Sequence, residues 1–236
     1  QRNNEESYSK NQIPEVKNSY WLNRWKEFLI HKRLRYEFIL TVFLLVAIVY
    51  SFSRYLLFNE TRAGSIIDDP IQKYFDAIDL NVPIFFAIYS SLLIGIISFS
   101  FNPRQLMMAF QTYSVLVMLR MISMYLIPLD PPRDCIDLQD PIVFMMGTGM
   151  VITKDLFFSG HTSTSFMLFQ VAKNKYLRFY FLAATITVGI SVILQKAHYS
   201  IDVVAGLVYS YASYQIVRHV HAKYHKFESD HPAVKH

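Results

Sequence analysis

The chain has 236 residues, of which 53% are hydrophobic, 16% aromatic and only 17% charged, with a formal net charge of +5. That composition is too apolar for an ordinary soluble domain and fits an all-α integral membrane protein with several spans. The basic residues gather beside apolar runs, as membrane topology requires and nucleic-acid binding does not, while the lone Cys135 excludes an intramolecular disulfide or a cysteine zinc cluster and reads as an inert thiol.

Residues 1–35 read as a cytosolic basic tail carrying eight Lys/Arg. Within it, residues 20–30 alternate aromatic and basic groups at roughly helical spacing, which predicts an interfacial amphipathic helix leading into the membrane. Residues 1–19 read as irregular. No early apolar run marks a signal peptide, and the start at Gln1 leaves room for residues upstream.

A helix needs about 20 apolar residues to cross the hydrocarbon core. Six candidates follow, at 36–58, 82–101, 105–128, 161–172, 177–194 and 199–217. The second opens with Pro83 near its first turn. The third contains Arg120. The fourth is short and has a polar start. Residues 142–152 are apolar but short, and read as a surface-lying or re-entrant piece. A six-span catalytic membrane domain is thus expected over 36–220, followed by a cytosolic tail over 221–236 that contains His and Lys. His219, His221, His225, His231 and His236 read as solvated rather than as a metal site.

The loops orient the bundle. With the N-terminus inside, the inner segments are 1–35, 102–104, 173–178 and the tail from Arg218, and they hold 8, 1, 3 and 4 Lys/Arg. The outer loops hold five, namely Arg62, Lys73, Arg133, Lys154 and Lys196. Positive charge belongs inside, so both termini are expected to be cytoplasmic. The stretches Ser159-Gly160-His161 and His198-Tyr199-Ser200-Ile201-Asp202 then fall on one outer face.

Ionisable groups at the mouths of apolar segments are costly and mark a functional site. His198 and Asp202 stand at i and i+4, on one face of a helix. A carboxylate there can accept the imidazole Nδ1–H, fix the tautomer and leave Nε2 as a nucleophile. His161 follows Ser159-Gly160 at an expected helix start, where free N–H groups suit a phosphate and Gly160 allows close approach. A second histidine beside a phosphate can protonate a leaving alkoxide and then deprotonate an incoming hydroxyl. The set points to phosphoryl transfer through a phosphohistidine. Two His and one Asp could also hold iron or zinc, but the phosphate-cradle features would then have no role.

These motifs resemble the type 2 phosphatidic acid phosphatase (PAP2) superfamily, over roughly residues 36–220. The resemblance implies a six-helix membrane bundle with His198 as nucleophile, Asp202 as its orienting partner, His161 as acid and base, and no metal or other cofactor. The phosphatase branch carries a Lys-x6-Arg-Pro motif before Ser-Gly-His and a Ser-Arg pair before its second histidine. Neither occurs here, and Ser191-Val192 stands where that pair would be. The chain is more similar to the sphingomyelin synthase branch. Arg120-Met121-Ile122-Ser123-Met124-Tyr125 resembles its Arg…Thr-Met-Tyr motif. Lys154-Asp155-Leu156-Phe157-Phe158-Ser159-Gly160-His161-Thr162 resembles its Gly-Asp…Ser-Gly-His-Thr motif, with Lys154 in place of Gly. His198-Tyr199-Ser200-Ile201-Asp202-Val203 resembles its His-Tyr-Thr-Ile-Asp-Val motif.

Substrate-binding roles are expected on the same stretches. Arg120 can pair bidentately with a phosphate or snorkel to the headgroup layer. Asp155 can meet a cationic headgroup or an acceptor hydroxyl, or cap a helix. Ser159 can hold a phosphate or cap a helix. Tyr125 and Tyr199 can line the headgroup site or belong to an interfacial aromatic belt. The expected function is transfer of a phospho-headgroup from a membrane phospholipid donor to ceramide or a similar lipid alcohol acceptor. Hydrolysis by a lipid phosphatase or phospholipase C-like enzyme uses the same site. A protein of another class, which binds or moves lipid without catalysis, would more readily have lost one of His161, His198 and Asp202. No nucleic-acid partner is expected, and oligomerisation is left open.

Overall fold

A computed structural model describes residues 13–141, 145 and 151–230, with side chains described over 21–141, at 145 and over 151–223. The described residues form seven α-helices and no extended strand. In chain order these are α1 (Ile13–Ile30), α2 (Lys32–Glu60), α3 (Asn81–Ser100), α4 (Pro103–Leu126), α5 (Gly160–Val171), α6 (Lys175–Leu194) and α7 (Ser200–Asp230). Each of the six expected apolar segments is a helix. Most of 142–152 lies outside the described residues.

Two expectations about the ends need correction. The first described helix runs from Ile13, so residues 13–19 are helical where an irregular stretch was expected, and the rest of that stretch lies outside the described residues. Pro14 sits in the first turn, where its missing N–H costs nothing. At the other end α7 runs on to Asp230, well beyond the apolar segment. His221 is not simply solvated there, because its Nε2 lies 2.6 Å from Gln111 Oε1 on α4 and 3.7 Å from Glu37 Oε1 on α2.

Four helices, α2, α3, α4 and α6, are long and apolar enough to cross a membrane. They support an integral membrane protein, and the outward aliphatic surface agrees. Phe43, Val46 and Tyr50 on α2 are exposed, as are Leu93, Ile96 and Ile97 on α3. α5 has 12 residues, a rise of only about 18 Å against a hydrocarbon core of about 30 Å. α7 is long enough but carries more polar residues.

Packing holds α5 at the centre. Met167, Leu168 and Val171 of α5 share one core with Phe99 of α3, Leu106 and Ala109 of α4, and Phe181 of α6. A second core joins Ile84 and Ala87 of α3 to Ala184, Val188 and Val192 of α6. α5 also meets α7. Gln170 Nε2 lies 3.0 Å from Ser210 Oγ, and Phe158, just before α5, stacks on Tyr209 of α7 with ring centroids 4.9 Å apart.

The connections at one end of the bundle are stitched together. Ser65 and Leu129 form an isolated parallel bridge. A side chain at Gly64 would put its Cβ 2.4 Å from the Leu129 carbonyl carbon, so this crossing requires glycine. Gln195, wholly buried, closes the opposite side. Its Nε2 donates to Asn81 Oδ1 and to the carbonyls of Ile136 and Asp137, and its Oε1 accepts from Leu80 N–H. These ties gather the start of α3 and the turn between α6 and α7 under one set of loops.

Candidate active site

His198 stands in the short turn between α6 and α7. The end of α6 builds that turn. Lys196 N–H bonds to Ile193 O and Ala197 N–H to Val192 O, while Lys196 takes a left-handed φ of 54°. This is the Schellman pattern, with lysine where glycine is usual. The chain reverses there and delivers His198 just ahead of the first turn of α7. His198 Nδ1 then lies 3.3 Å from Asp202 Oδ2, and both side chains are buried. Asp202 Oδ2 also accepts from Tyr199 N–H, at 3.2 Å. Asp202 Oδ1 has no hydrogen-bond partner among the described residues.

A loop between α2 and α3 braces this turn from outside. Asp69 Oδ2 accepts from Ser200 N–H at 2.6 Å, and Asp69 Oδ1 from the Ser200 hydroxyl at 3.1 Å. Asp69 thereby caps α7 from a distant part of the chain. Gln72 Nε2 donates to His198 O at 2.7 Å. Burial pushes the Asp69 carboxyl up, but the bonds from Ser200, Ile71 and Gln72 outweigh it and hold the group below the usual carboxylate range.

α5 begins at the second motif. Ser159 is its N-cap, and its side chain accepts from Thr162 N–H at 3.4 Å and lies 3.0 Å from Thr162 Oγ1. Ser159 N–H donates to Asp202 O at 3.0 Å. The two motifs are therefore joined through the backbone, as expected if the fourth and sixth segments pack together. Phe157, two residues before, is held at a φ of 84°, a strained value for a bulky residue.

His161 finds a partner that the sequence did not announce. Its Nε2 lies 3.0 Å from Asp140 Oδ2, and Tyr89 OH donates to Asp140 Oδ1 at 2.6 Å. His161 Nδ1 is buried and has no hydrogen-bond partner among the described residues. Two histidine–carboxylate pairs thus stand in the site, His198–Asp202 between the turn before α7 and its first turn, where the i, i+4 spacing was expected to lie within a helix, and His161–Asp140 across the fold.

Arg120 reaches the site from α4. Its guanidinium forms an ion pair with Asp155, Nη2 to Oδ1 at 2.7 Å. It lies over the rings of Phe52 and Phe158, 5.2 and 5.7 Å from their centroids. A Cβ built on Gly160 would fall 1.7 Å from Arg120 Nη1. Gly160 therefore makes room for the guanidinium at the start of α5. Lys154, which departs from the resembled motif, ties loops together by an ion pair to Asp130 at 2.8 Å and a bond to Arg62 O at 2.7 Å.

A cavity of about 360 Å³ opens over these groups. His161, His198, Asp155 and Asp140 line it, together with Cys135, Asp137 and Thr153. Ser159, Gly160, Asp202 and Arg120 lie outside this lining but contact residues within it or next to them. Tyr125 and Tyr199 are placed elsewhere. Tyr125 is exposed beneath the Arg62 guanidinium, 4.9 Å from its ring centroid. Tyr199 is buried, with its hydroxyl donating to Asp130 O and accepting from Ile67 N–H.

Residues 154–220 match the family model described as PAP2 superfamily C-terminal. The matched segment is less than a third of the chain, yet it holds both histidine motifs. It supports a phosphoesterase- or phosphotransferase-type lipid enzyme. Comparison with characterised proteins and with solved structures finds no match.

Proposed function

We propose that the chain is a lipid phosphotransferase that moves a phospho-headgroup from a membrane phospholipid to a lipid alcohol such as ceramide, like the sphingomyelin synthase branch. The observation that carries this reading is the convergence of His161 and His198 on one cavity, each with its own carboxylate.

In this mechanism Asp202 accepts Nδ1–H of His198 and leaves Nε2 with its lone pair. Nε2 attacks phosphorus, a P–N bond forms, and the P–O bond to the glycerol of the donor breaks. His161 gives its proton to the departing alkoxide, so diacylglycerol leaves as the alcohol. The neutral His161 then takes the proton of the incoming hydroxyl. That oxygen attacks phosphorus, the P–N bond breaks, and His198 is regenerated. Asp140 holds His161 Nε2, which directs the exchanged proton to Nδ1 and favours the protonated ring that opens the first step and closes the second. Arg120 moves from Asp155 toward the phosphate as charge builds on its oxygens.

The absent phosphatase arginines favour a phosphodiester donor, which carries one negative charge less than a phosphomonoester. All six helices α2–α7 cross the bilayer in this reading, with α5 and α7 shielded by their neighbours. Both termini are cytoplasmic and the cavity opens to the outer face. Reconstituted protein supplied with labelled phospholipid and ceramide tests the reading. Label is expected on ceramide for the wild type and not for His198→Ala. Release of phosphate from phosphatidic acid would make it a phosphatase. The absence of any product from a broad donor panel would reject both.

A further inference from the structure

The bundle has a second organised end, opposite the cavity. α3 starts at Asn81, bonded to Gln195 beside the cavity wall, and ends at Ser100. Its ends lie about 30 Å apart. At the far end α1 is clasped by two indoles. Trp21 Nε1 and Trp25 Nε1 both donate to Ser100 O, at 3.0 and 2.8 Å. That carbonyl belongs to the last turn of α3, which has no intrahelical donor to meet it. Trp25 also packs edge-on against Phe28 and Phe38, and Phe28 is buried. His31 is extended, with φ −70° and ψ 102°, so the chain breaks helix between α1 and α2.

The other side of α1 has a different chemistry. Leu22, Leu29 and Ile30 are exposed, Ile30 at 74%. Lys26, His31 and Lys32 are exposed beside them. Across the junction of α1 with α2, residues 21–35 carry five cations, Arg24 and Lys26 on α1 and Lys32, Arg33 and Arg35 on the start of α2, against the single anion Glu27, a net charge of +4. Bare aliphatic groups interleaved with cations fit the boundary of an anionic leaflet, where the first enter the acyl region and the second meet headgroup phosphates. An acidic soluble partner would match the charge but would have to cover a helix that ends one residue before a membrane-length helix.

We propose that α1 is an anionic-lipid docking helix, fastened to the inner end of the bundle by the Trp21 and Trp25 clasp on Ser100. The proposal rests on the membrane reading of the chain and is independent of the reaction at the cavity. Trp21 and Trp25 are the chain's only two tryptophans, so tryptophan emission, excited at a wavelength that tyrosine does not absorb, reports α1 alone. Full-length protein is reconstituted in phosphatidylcholine vesicles with rising phosphatidylserine, and quenching by brominated lipid is measured for wild type and K26Q/K32Q. Quenching is expected to rise with phosphatidylserine and to fall with salt. Each lysine near an anionic surface is worth about fivefold in affinity, so the double variant should need at least about twofold more phosphatidylserine for equal quenching. Equal quenching in neutral and anionic vesicles, or no response to K26Q/K32Q, overturns the proposal. So does an emission shift with polyglutamate that phosphatidylserine does not produce, which assigns the face to an acidic protein. Donor turnover in neutral vesicles, read on the same samples, separates failure of lipid docking from failure of the proposed reaction.

Discussion

Asp202 divides one carboxylate oxygen between the His198 ring and Tyr199 N–H, and in the proposed mechanism its charge activates His198. Asp202→Asn keeps the shape but can present an N–H to the ring and favour the wrong tautomer. Turnover of labelled phospholipid is expected to fall by about two to four orders of magnitude, with the folded state retained. Gly160→Ala acts through a neighbour. The new methyl group would meet Arg120 Nη1 at 1.7 Å, and the guanidinium is the mobile end of a long side chain. It can swing away at small cost in stability, yet it leaves the place where it would meet phosphate. Activity is expected to drop about a hundredfold while the unfolding temperature changes little, as kinetics and thermal melts on the same preparation would show. His161, His198, Asp202 and Arg120 were legible in the sequence because each lies in a short motif or at i, i+4 spacing. Asp140 was not, because only the tertiary fold brings it 3.0 Å from His161. Asp140→Asn should lower turnover of labelled phospholipid by about tenfold to a hundredfold with the fold retained, since it removes the carboxylate that holds His161 Nε2 in place.

At the scale of elements, apolar length predicted helices α2 to α7 well, and it predicted their ends less well. α7 outruns its apolar stretch because Glu37, Gln111 and His221 give its polar extension partners on α2 and α4. The helix starts that carry the site depend on capping from afar, which no local pattern reveals. Asp69 is 131 residues from Ser200 yet caps α7 through it. Its carboxyl is held below the usual range, so its stabilisation is fully present above the unfolded value of about 3.9 and is lost as pH falls through the folded value. Asp69→Asn should lower stability by about 1 kcal/mol near neutral pH. The gap from wild type should close below about pH 4. Thermal melts in detergent across that range measure it. A gap that persists unchanged into acid would mean that Asp69 acts through shape and not through charge.

For the whole molecule, the loops divide the bundle into two ends with different work. One end carries the cavity, among loops tied together by Gln195 and the Ser65–Leu129 bridge. The other carries α1 and most of the basic charge. The distribution of Lys and Arg made this polarity readable before any coordinates, because it follows from bilayer energetics rather than from packing. The closing of the loops over the site was not readable, since Gln195 and Gly64 act through contacts remote in sequence. Cys135 offers a direct test of the orientation. It is the chain's single cysteine and stands in the cavity wall at the end assigned to the outer face. Burial pushes its thiol up, and the charges of Asp137 and Asp134 and the bond to Asp137 push it further in the same direction. Little thiolate exists at neutral pH, so a membrane-impermeant maleimide should label Cys135 slowly from the outer side of sealed vesicles and faster as pH rises past about 9. A non-reacting phospholipid analogue in the cavity should slow the labelling at every pH, because it would cover the thiol. Labelling confined to the cytoplasmic side would invert the assigned topology, and labelling indifferent to the analogue would remove the cavity as the lipid site.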